Sequence, residues 1–492
     1  MSELTSALYS ADEVRELDRS AIEDHGVPSY DLMCRAGAGL LDVVQLRWPA
    51  AKHVLVVCGG GNNGGDGYVL ARLLLQAGAG HSVLAAIPTE KLQSDARRAW
   101  QDYVQAGGQV YEQWPEQVAV DLIVDALFGS GLCRPVTGAF AALIQRINDT
   151  GVPALAVDVP SGLDASTGAV HGIAVRAQAT LTFIGHKRGL LTHEGPDYAG
   201  KVWLDALAVP PAVFLDNPTR VFRLDATDIG QRLPVRARAS HKGSFAAVIV
   251  IGGQAGMEGA AVLAAAAALR SGAGLVRLTT LSRRERIAIL PDVIQVPAPD
   301  EAALAQTCAQ AGVLAIGPGL GQSPEARAWL NAALLAEVPT VLDADALNLL
   351  AQDSACRLSS STVLTPHPAE AARLLGISTA EVQADRFAAA IAIAQRYSAV
   401  VVLKGVGSLI TDGERIALCT AGNPGMACAG MGDVLTGVIA GCLAQRLSAF
   451  DAACLGVCAH AAAGDLAYRA RGNSLLASDL DGYLPEVFKT RV

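Results

Sequence analysis

Short apolar runs alternate with amphipathic stretches along most of the chain. In the first half the apolar runs are HVLVVCG (53–59), SVLAAI (82–87), VDLIVDALFG (120–129), PALAVDVPSG (153–162) and ATLTFIG (179–185). They are continuous rather than alternating, which is typical of parallel strands that are buried on both faces. Stretches such as DARRAWQDYVQAG (95–107) lie between them and predict crossover helices. The pattern therefore predicts an α/β chain with parallel sheets.

The pattern is interrupted once, at about residues 205–240. This segment contains many prolines and mixed charges and has no sustained periodicity, so we interpret it as a connection with a boundary near residue 220. The alternation then restarts with FAAVIVIGG (245–253), VLAIGPGLG (313–321) and PTVLDADAL (339–347). The two halves share no repeated motif. We therefore predict two different α/β domains, residues 1–218 and 219–492.

Composition and charge exclude several classes of function. The 492 residues carry a formal net charge of −9, with no long basic run, so nucleic acid and anionic membranes are not expected partners. The N-terminus lacks the basic and apolar regions of a signal peptide, and no apolar run reaches the length of a membrane span. AAVLAAAAALRSGAGLV (260–276) predicts a buried helix that ends at Gly272. We expect a cytoplasmic protein.

The ten cysteines form no CxxC pair. Cys454 and Cys458 are one helical turn apart, but no second pair of soft ligands lies nearby in the sequence. Buried, reduced thiols are therefore favoured over a zinc site.

A glycine-rich segment, GGGNNGGDG (59–67), follows the first predicted strand. The amino end of the next helix can bind an anion through backbone N–H groups, and the glycines would allow a ligand to approach closely. The segment matches neither G-x-G-x-x-G nor a Walker A loop. It favours a bound mononucleotide or dinucleotide phosphate over a turn without a ligand, and it argues against triphosphate hydrolysis.

Two later strands end in polar residues that could face the same ligand. Asp125 ends one strand, and Asp158 ends another and is followed by Ser161. Ligands gather at the carboxyl ends of strands in doubly wound sheets. Asn63, Asp125 and Ser161 would then form an oxygen cluster, suited to a hard cation or to a hydrogen-bond network. Asp158 could act as a general acid or base, although a lone Asp after a strand is more often a cap.

GGGNNGGDGYVLARLL, DALFGSGL and AVDVPSGLDASTG resemble the epimerase domain of the bifunctional NAD(P)H-hydrate repair enzymes, over nearly all of residues 10–215. The resemblance implies a Rossmann-like fold, a potassium ion held by Asn63, Asp125 and Ser161, and Asp158 as the candidate catalytic residue. It also implies that the hydrated dinucleotide contacts Asn62, Asn63, Gly64, Gly65, Asp66, Gly129, Ser130, Gly131, Leu132, Cys133, Arg134, Pro135 and Asp158.

The second half carries a motif set suited to phosphoryl transfer. Lys404 ends a predicted strand and is followed by glycines and Ser408. The later segment AGNPGMACAGMGDVLTG places Asp433 at the start of a helix, where N–H donors could stabilise a transferring phosphoryl group and Asp433 could take a proton. In isolation GMGD would be an N-cap. Together with TPHPAEAARLL upstream, it favours catalysis.

These motifs resemble the ribokinase-like superfamily and, within it, the ADP-dependent NAD(P)H-hydrate dehydratases, over about residues 226–490. The resemblance implies ADP as co-substrate, magnesium at its phosphates and Asp433 as the catalytic base. The nucleotide would contact Lys404, Gly405, Val406, Gly407, Ser408 and Gly432. The hydrated nicotinamide would contact Ala260, Gly319, Gly321, His367 and Asp433.

The combined prediction is a metabolite repair enzyme with an isomerase and a lyase on one chain. It would epimerise the R and S hydrates of NADH and NADPH (NADHX and NADPHX) and dehydrate the S hydrate with ADP, and relatives suggest a homo-oligomer. One alternative is a ribokinase-like vitamin-precursor kinase whose N-terminal domain is a regulatory dinucleotide binder. A second alternative is a dinucleotide-binding protein without enzymatic activity.

Overall fold

The computed structural model describes residues 6–282, 287–353 and 358–489. The chain divides into two compact units, Met1–Val221 and Phe222–Val492. Within the described ranges, no helix combines the length and the apolar character needed to cross a bilayer.

Unit 1 is built on a seven-stranded sheet in which every neighbouring pair is parallel, in the order β4-β3-β2-β5-β6-β7-β9. A further short pair, β1 and β8, is also parallel. The strands are β1 (Ala7–Tyr9), β2 (His53–Cys58), β3 (Gly80–Ala85), β4 (Val110–Tyr111), β5 (Leu122–Ala126), β6 (Ala154–Val157), β7 (Ala179–Phe183), β8 (His186–Lys187) and β9 (Lys201–Asp205). The helices are α1 (Ala11–Arg19), α2 (Ser29–Arg47), α3 (Asn62–Gln76), α4 (Ser94–Gln105), α5 (Gly138–Asp149), α6 (Gly195–Ala199) and α7 (Pro211–Asp216).

The central strands of unit 1 are apolar on both faces because helices cover both. In β2, Val54 and Val56 belong to one hydrophobic cluster, whereas Leu55 and Val57 belong to another. The strand order reverses at β2, which has β3 on one side and β5 on the other. The loops that follow β2 and β5 therefore diverge and leave a crevice at the carboxyl edge of the sheet.

Unit 2 contains a nine-stranded run in the order β13-β12-β11-β14-β15-β16-β17-β18-β19. The first seven strands are parallel, and β18 and β19 are antiparallel. The strands are β11 (Ala247–Gly252), β12 (Leu275–Thr280), β13 (Val293–Gln295), β14 (Val313–Ile316), β15 (Thr340–Leu342), β16 (Thr362–Leu364), β17 (Val400–Leu403), β18 (Ser408–Thr411) and β19 (Ile416–Cys419), and β10 (Val221–Leu224) spans the boundary of the units.

The helices of unit 2 are α8 (Ile229–Arg232), α9 (Glu258–Arg270), α10 (Glu301–Cys308), α11 (Pro324–Leu334), α12 (Asp345–Ala351), α13 (Pro368–Leu375), α14 (Thr379–Ala384), α15 (Arg386–Tyr397), α16 (Met431–Ala444), α17 (Ala449–Arg471) and α18 (Leu480–Val487). The alanine-rich helix α9 is buried as expected and ends at Arg270, close to the predicted end at Gly272. Cys454 and Cys458 are buried, free thiols on α17. The prediction of α/β structure with parallel sheets agrees with both units.

Candidate functional sites

Unit 1 has a cavity of about 690 Å³ at the crevice beside β2 and β5. It is lined by the turn after β2, by the loop Leu127–Arg134 after β5, and by Asp158 after β6. Helices α1 and α2 close its other side with Val14, Asp18 and Met33. The cavity thus lies where a doubly wound sheet binds its ligand.

The glycines of GGGNNGGDG divide into two groups. Helix α3 begins at Asn62, with Gly61 as its N-cap, so the second half of the motif is helical rather than a loop. A Cβ on Gly64 would lie 2.1 Å from the Gly59 carbonyl oxygen, and one on Gly65 would lie 2.5 Å from Met33 Cε. These glycines allow close packing of protein against protein. Only Gly60 and Gly61, on the open side of the turn, line the cavity.

Most of the predicted substrate contacts in unit 1 do line the cavity: Asn62, Asn63, Asp66, Gly129, Ser130, Gly131, Leu132, Cys133, Arg134 and Asp158. Gly64, Gly65 and Pro135 are not in its lining. The neighbouring turn and α2 occupy the space beside Gly64 and Gly65, so close packing also accounts for glycine there, and their contact with the substrate stays a prediction.

Asp125 and Ser161 form a buried pair behind the second loop. Ser161 Oγ lies 2.6 Å from Asp125 Oδ1, and the Ser161 amide donates to Asp125 Oδ2 at 2.8 Å. Burial raises the pKa of Asp125 to about 6, although the hydrogen bonds from Ser161 oppose this rise. Asn63 lies beside Gly129 of the same loop, and its buried Nδ2 has no hydrogen-bond partner among the described residues.

Asp158 is held by a buried lysine. Lys187 Nζ donates to Asp158 Oδ1 at 2.5 Å and to the Phe183 carbonyl at 2.7 Å, and its side chain is 1% exposed. Thr182 and the Phe183 amide also donate to Oδ1. No described residue donates to Oδ2. Asp158 lines the cavity, so Oδ2 is the oxygen that remains available to a ligand.

Two more carboxyl groups line this cavity, those of Asp66 and Asp18. Burial, and then repulsion by Asp158 and Asp18, raises the pKa of Asp66 well above its ordinary value. Burial also raises the pKa of Asp18, against the opposing effect of Lys187. A carboxyl group with a raised pKa is more readily protonated, which makes Asp66 the candidate proton donor of this cavity.

Backbone strain is concentrated around the same cavity. Asp158, Ile184 and Leu207 all line it, and their φ angles are +66°, +63° and +50°. Non-glycine residues in this region cost about 1–3 kcal/mol each and cluster at functional sites. Ile184 is β-branched, which makes its left-handed conformation especially unusual.

The cavity of unit 2, about 410 Å³, is centred on Lys404. The Lys404 ammonium group lies 2.7 Å from Asp343 Oδ1 and 3.8 Å from Glu370 Oε2. Burial alone would lower the pKa of Lys404, but these carboxylates outweigh it and raise the pKa. A Cβ on Gly432 would lie 3.2 Å from Lys404 Nζ, so glycine at this position lets the amino end of α16 lie directly against the lysine.

Asp433 lies in the first turn of α16 and faces the same cavity. The N-cap of this helix is Gly430, so Asp433 is not the cap that an isolated GMGD would suggest. Burial, and then repulsion by Asp343, raises the pKa of Asp433 to about 7. A carboxyl group with that pKa can take up and release a proton near neutrality.

His367 both lines the cavity and caps a helix. Its Nδ1 accepts hydrogen bonds from the amides of Ala369 and Glu370 at the start of α13, which places the proton of the neutral ring on Nε2. Burial, followed by the charge of Lys404, lowers the pKa of His367. His367 Nε2 lies 3.4 Å from Glu370 Oε1, so a ligand in the cavity would meet this N–H beside that carboxyl group.

Six of the predicted contacts of unit 2 are not in this cavity's lining: Ala260, Gly319, Gly321, Val406, Gly407 and Ser408. Gly319 packs against Met257 and Ala260, and the Gly321 amide donates to Asp345 Oδ2 at 2.8 Å. Ala260, Gly319 and Gly321 thus share one neighbourhood, and the charge of Asp345 there acts on Asp433. Gly405 lines the cavity with Lys404, whereas Val406, Gly407 and Ser408 continue the loop beyond it.

Comparison with known proteins covers both units. A family model described as YjeF-related protein N-terminus matches residues 29–189, and one described as NAD(P)H-hydrate dehydratase matches residues 248–486. The bifunctional NAD(P)H-hydrate repair enzyme of Coxiella burnetii is 45% identical, over 97% of this chain and 99% of its own, and that of Escherichia coli is 41% identical, over 99% and 94%. This chain belongs to the family of bifunctional NAD(P)H-hydrate repair enzymes.

A solved structure supports the fold of unit 2. A ribokinase-like superfamily protein from Enterococcus faecalis aligns with a TM-score of 0.51 at 28% identity, over 55% of this chain and 96% of its own. Family membership and this likeness confirm the predicted fold class, an αβα Rossmann-like domain followed by a ribokinase-like one. They also confirm the prediction of a repair enzyme that is an isomerase and a lyase, and they favour it over the vitamin-precursor kinase and the non-enzymatic binder.

Sequence reasoning missed several residues at the two sites of this family member: Asp18, Lys187, Asp343 and Glu370. Lys187 follows the predicted strand ATLTFIG by two residues, and a lysine so close to an apolar strand was an available signal. Asp343 lies in the quoted segment PTVLDADAL and Glu370 in TPHPAEAARLL, at strand ends that meet Lys404. Asp18 lies on an acidic helix, and nothing in its local sequence distinguishes it from surface residues.

Proposed function

We propose that unit 1 interconverts the R and S hydrates of NADH and NADPH and that unit 2 dehydrates the S hydrate at the expense of ADP. The observation that carries the proposal is common to both units. Each cavity holds a carboxyl group that faces the ligand space, Asp158 or Asp433, near a lysine, the buried Lys187 or the partly buried Lys404. We assign the two activities to residues 1–218 and 219–492, and the compact units divide close to that boundary.

In unit 1 the hydrate carries a hydroxyl on the carbon beside the ring nitrogen. Protonated Asp66 would donate to this hydroxyl, which leaves as water while the nitrogen lone pair forms a C=N bond. Water then adds to the opposite face of that carbon and passes a proton to Asp158 Oδ2. Lys187 holds Asp158 in place through their ion pair. The centre is inverted, and no atom is gained or lost.

The oxygens beside this cavity fit a potassium ion. Asp125 is a buried carboxyl without a cationic partner among the described residues, and Ser161 and Asn63 supply a hydroxyl and an amide nearby. Hard cations prefer such oxygen ligands. Asn63, Asp125 and Ser161 would hold the ion, which would supply positive charge beside the pyrophosphate of the substrate.

In unit 2 Asp433 would remove the proton of the substrate hydroxyl. The hydroxyl oxygen attacks the terminal phosphorus of ADP, and AMP leaves. The carbon–oxygen bond of the phosphorylated hydrate then breaks, phosphate departs, and the neighbouring ring carbon loses a proton, which restores the dihydronicotinamide. Lys404 and the N–H groups at the start of α16 stabilise the negative charge that develops. His367 Nε2–H would hydrogen-bond the substrate.

We propose that magnesium binds in unit 2 together with the phosphates of the nucleotide. In the described part of the chain, no group of three or more His, Cys, Asp or Glu side chains is arranged to hold a metal ion. Magnesium commonly binds through one or two carboxylates together with substrate phosphates. Glu370 faces the cavity and could supply such a carboxylate, and the ion would neutralise phosphate charge.

The test uses the separated R and S hydrates and follows the return of dihydronicotinamide absorbance. We expect S hydrate to be recovered only when nucleotide is added, and R hydrate to be recovered faster than its spontaneous epimerisation allows. An Asp158→Asn variant should lose only the recovery of R hydrate, and Asp433→Asn should lose both. Failure to recover S hydrate with either ADP or ATP would contradict the dehydratase assignment.

We further propose that the protein is a cytoplasmic homo-oligomer that binds neither nucleic acid nor membranes. The net charge of −9 without a basic run supports the lack of binding to nucleic acid and anionic membranes. Light scattering coupled to size exclusion tests the assembly, and co-sedimentation with anionic vesicles tests the lack of membrane binding.

A further inference from the structure

A fully buried arginine lies beneath the loop Lys404–Ser408. Arg386 is the first residue of α15 and is 1% exposed. Its guanidinium donates to the carbonyl oxygens of Leu403, Lys404 and Gly407 at 3.3–3.4 Å and to the Gln383 side chain at 3.2 Å. Its Nε has no partner among the described residues. The buried Arg386 guanidinium therefore makes only long hydrogen bonds, and all of them are to neutral oxygen atoms.

No carboxylate in the described part of the chain balances this charge. Burial is the cause that lowers the pKa of Arg386, to about 10, and no nearby acid opposes it. The group therefore remains protonated at neutral pH. A buried cation without a counter-ion is strongly unfavourable, so its presence calls for a compensating partner.

The arginine and Gly405 require each other. Gly405 has a left-handed φ of +139°, and a Cβ at this position would lie 2.7 Å from Arg386 Nη1. The loop therefore lies directly against the guanidinium and leaves no room for a side chain. Gly405 also lines the cavity of unit 2, so only the thickness of one peptide backbone separates the buried cation from the ligand space.

The carbonyl contacts also orient the loop. In a planar trans peptide the C=O and N–H groups point in opposite directions. Because the Lys404 carbonyl points at Arg386, the Gly405 N–H points away from it. A group that approaches the loop from the far side would meet this N–H donor with the positive charge of Arg386 behind it, an arrangement that suits an anion.

We propose that Arg386 is a positioning and affinity-determining residue for the phosphates of the nucleotide in unit 2. It acts through the Lys404–Ser408 loop, fixing the Gly405 N–H toward the ligand and supplying the positive charge that the phosphates balance. This inference rests on the proposed function, since it takes the ligand at this loop to be an adenine nucleotide.

The test compares ligands that differ in charge. Binding of adenosine, AMP and ADP to the full-length protein is measured by isothermal titration calorimetry, for wild type, Arg386→Met, Arg386→Lys and Arg396→Met. Arg396, at the other end of α15, is the matched control for loss of one positive charge. Circular dichroism and thermal melting establish that each variant is folded.

We expect Arg386→Met to weaken ADP binding by about tenfold or more and adenosine binding by less than about twofold, with AMP between them. Arg386→Lys keeps the charge but not the planar fork, and should stay within about threefold of wild type for ADP. Arg396→Met should bind like wild type.

Equal losses for adenosine and ADP would show that Arg386 only maintains the loop's fold and would overturn the proposal, as would unchanged ADP binding in Arg386→Met. A tenfold loss of ADP affinity in Arg386→Lys would also overturn it, and that variant carries the test if the methionine variant does not fold. Wild-type protein that binds no adenine nucleotide would instead refute the proposed function of unit 2.

Discussion

The dehydration reaction should accelerate as the pH rises through neutrality, because Asp433 acts as a base only when it is ionised. Burial and the negative charge of Asp343 raise the pKa of Asp433 from its ordinary 3.8 to about 7. With that pKa, roughly 9% of the protein is competent at pH 6 and roughly 91% at pH 8. The rate with both substrates well below saturation should therefore rise about tenfold over this range and level off above it.

The same reasoning predicts the effect of removing the charge on Asp343. A like charge a few ångströms away raises the pKa of a buried carboxyl by about one unit or more. An Asp343→Asn variant should therefore have its pH midpoint about one unit lower, whatever the change in its maximal rate. Asp412→Asn removes one negative charge from an ion pair with Arg415 on β18's turn, away from the cavity lining, and should leave the midpoint unchanged.

The assay is the initial rate of dihydronicotinamide recovery from purified S hydrate with ADP, across pH 6 to 9 at constant ionic strength. The titration of ADP itself is common to all three proteins, so it cancels in the comparison of midpoints. A rate that is flat or falls between pH 6 and 8, or a midpoint that moves upward in Asp343→Asn, would refute the role given to Asp433.

Three further predictions concern unit 1. Lys187→Met should slow recovery of R hydrate by about a hundredfold, because Asp158 loses the ammonium group that orients it. Recovery of S hydrate is the internal control and should stay unchanged. Equal rates of R hydrate recovery in the variant and the wild type would refute this role of Lys187. Burial raises the pKa of Asp125 to about 6, so the protonated carboxyl contributes stability below about pH 4, and this contribution is lost as the pH rises through 6. Potassium in place of tetramethylammonium should therefore raise Tm more at pH 8 than at pH 5, through a stabilisation of up to about 3 kcal/mol that Asp125→Asn abolishes. A larger gain at pH 5 would argue against a cation beside Asp125. Gly64→Ala should lower the free energy of unfolding, measured by urea titration, by about 1–3 kcal/mol, because the new Cβ would overlap the Gly59 carbonyl. Gly61→Ala is the matched control: its Cβ would meet nothing within 4 Å, so the free energy of unfolding should change little.

The fold was predictable because it depends on patterns that are local in sequence. Continuous apolar runs such as 53–59 mark strands buried on both faces, and in β2 the successive residues Leu55 and Val56 indeed belong to different clusters. The strand order and the position of the crevice were not predictable in this way. They depend on which strand lies beside β2, and that is decided by packing over the whole unit.

The residues that line the cavities were predictable where a residue lies in the same motif as the turn that presents it. Asp158 and Asp433 both follow glycine-rich or strand-end signals directly. Lys187 and Arg386 were missed because their roles arise from contacts with segments distant in sequence, at Asp158 and at Lys404–Ser408. Burial of a long cationic side chain has no local signature, since most lysines and arginines in such sequences are exposed.

The packing of the glycines in GGGNNGGDG bears on how this motif should be used to trace distant relatives. A side chain at Gly59 would overlap the Leu127 carbonyl after β5, one at Gly64 would overlap the Gly59 carbonyl, and one at Gly65 would overlap Met33 of α2, whether or not a ligand is present. A descendant that had lost its substrate would still have to retain these glycines to fold. In a remote sequence these glycines therefore indicate only that the fold is shared. Asn62 and Asp66, which the same helix turn exposes to the cavity, are the residues whose presence would indicate that the activity is retained.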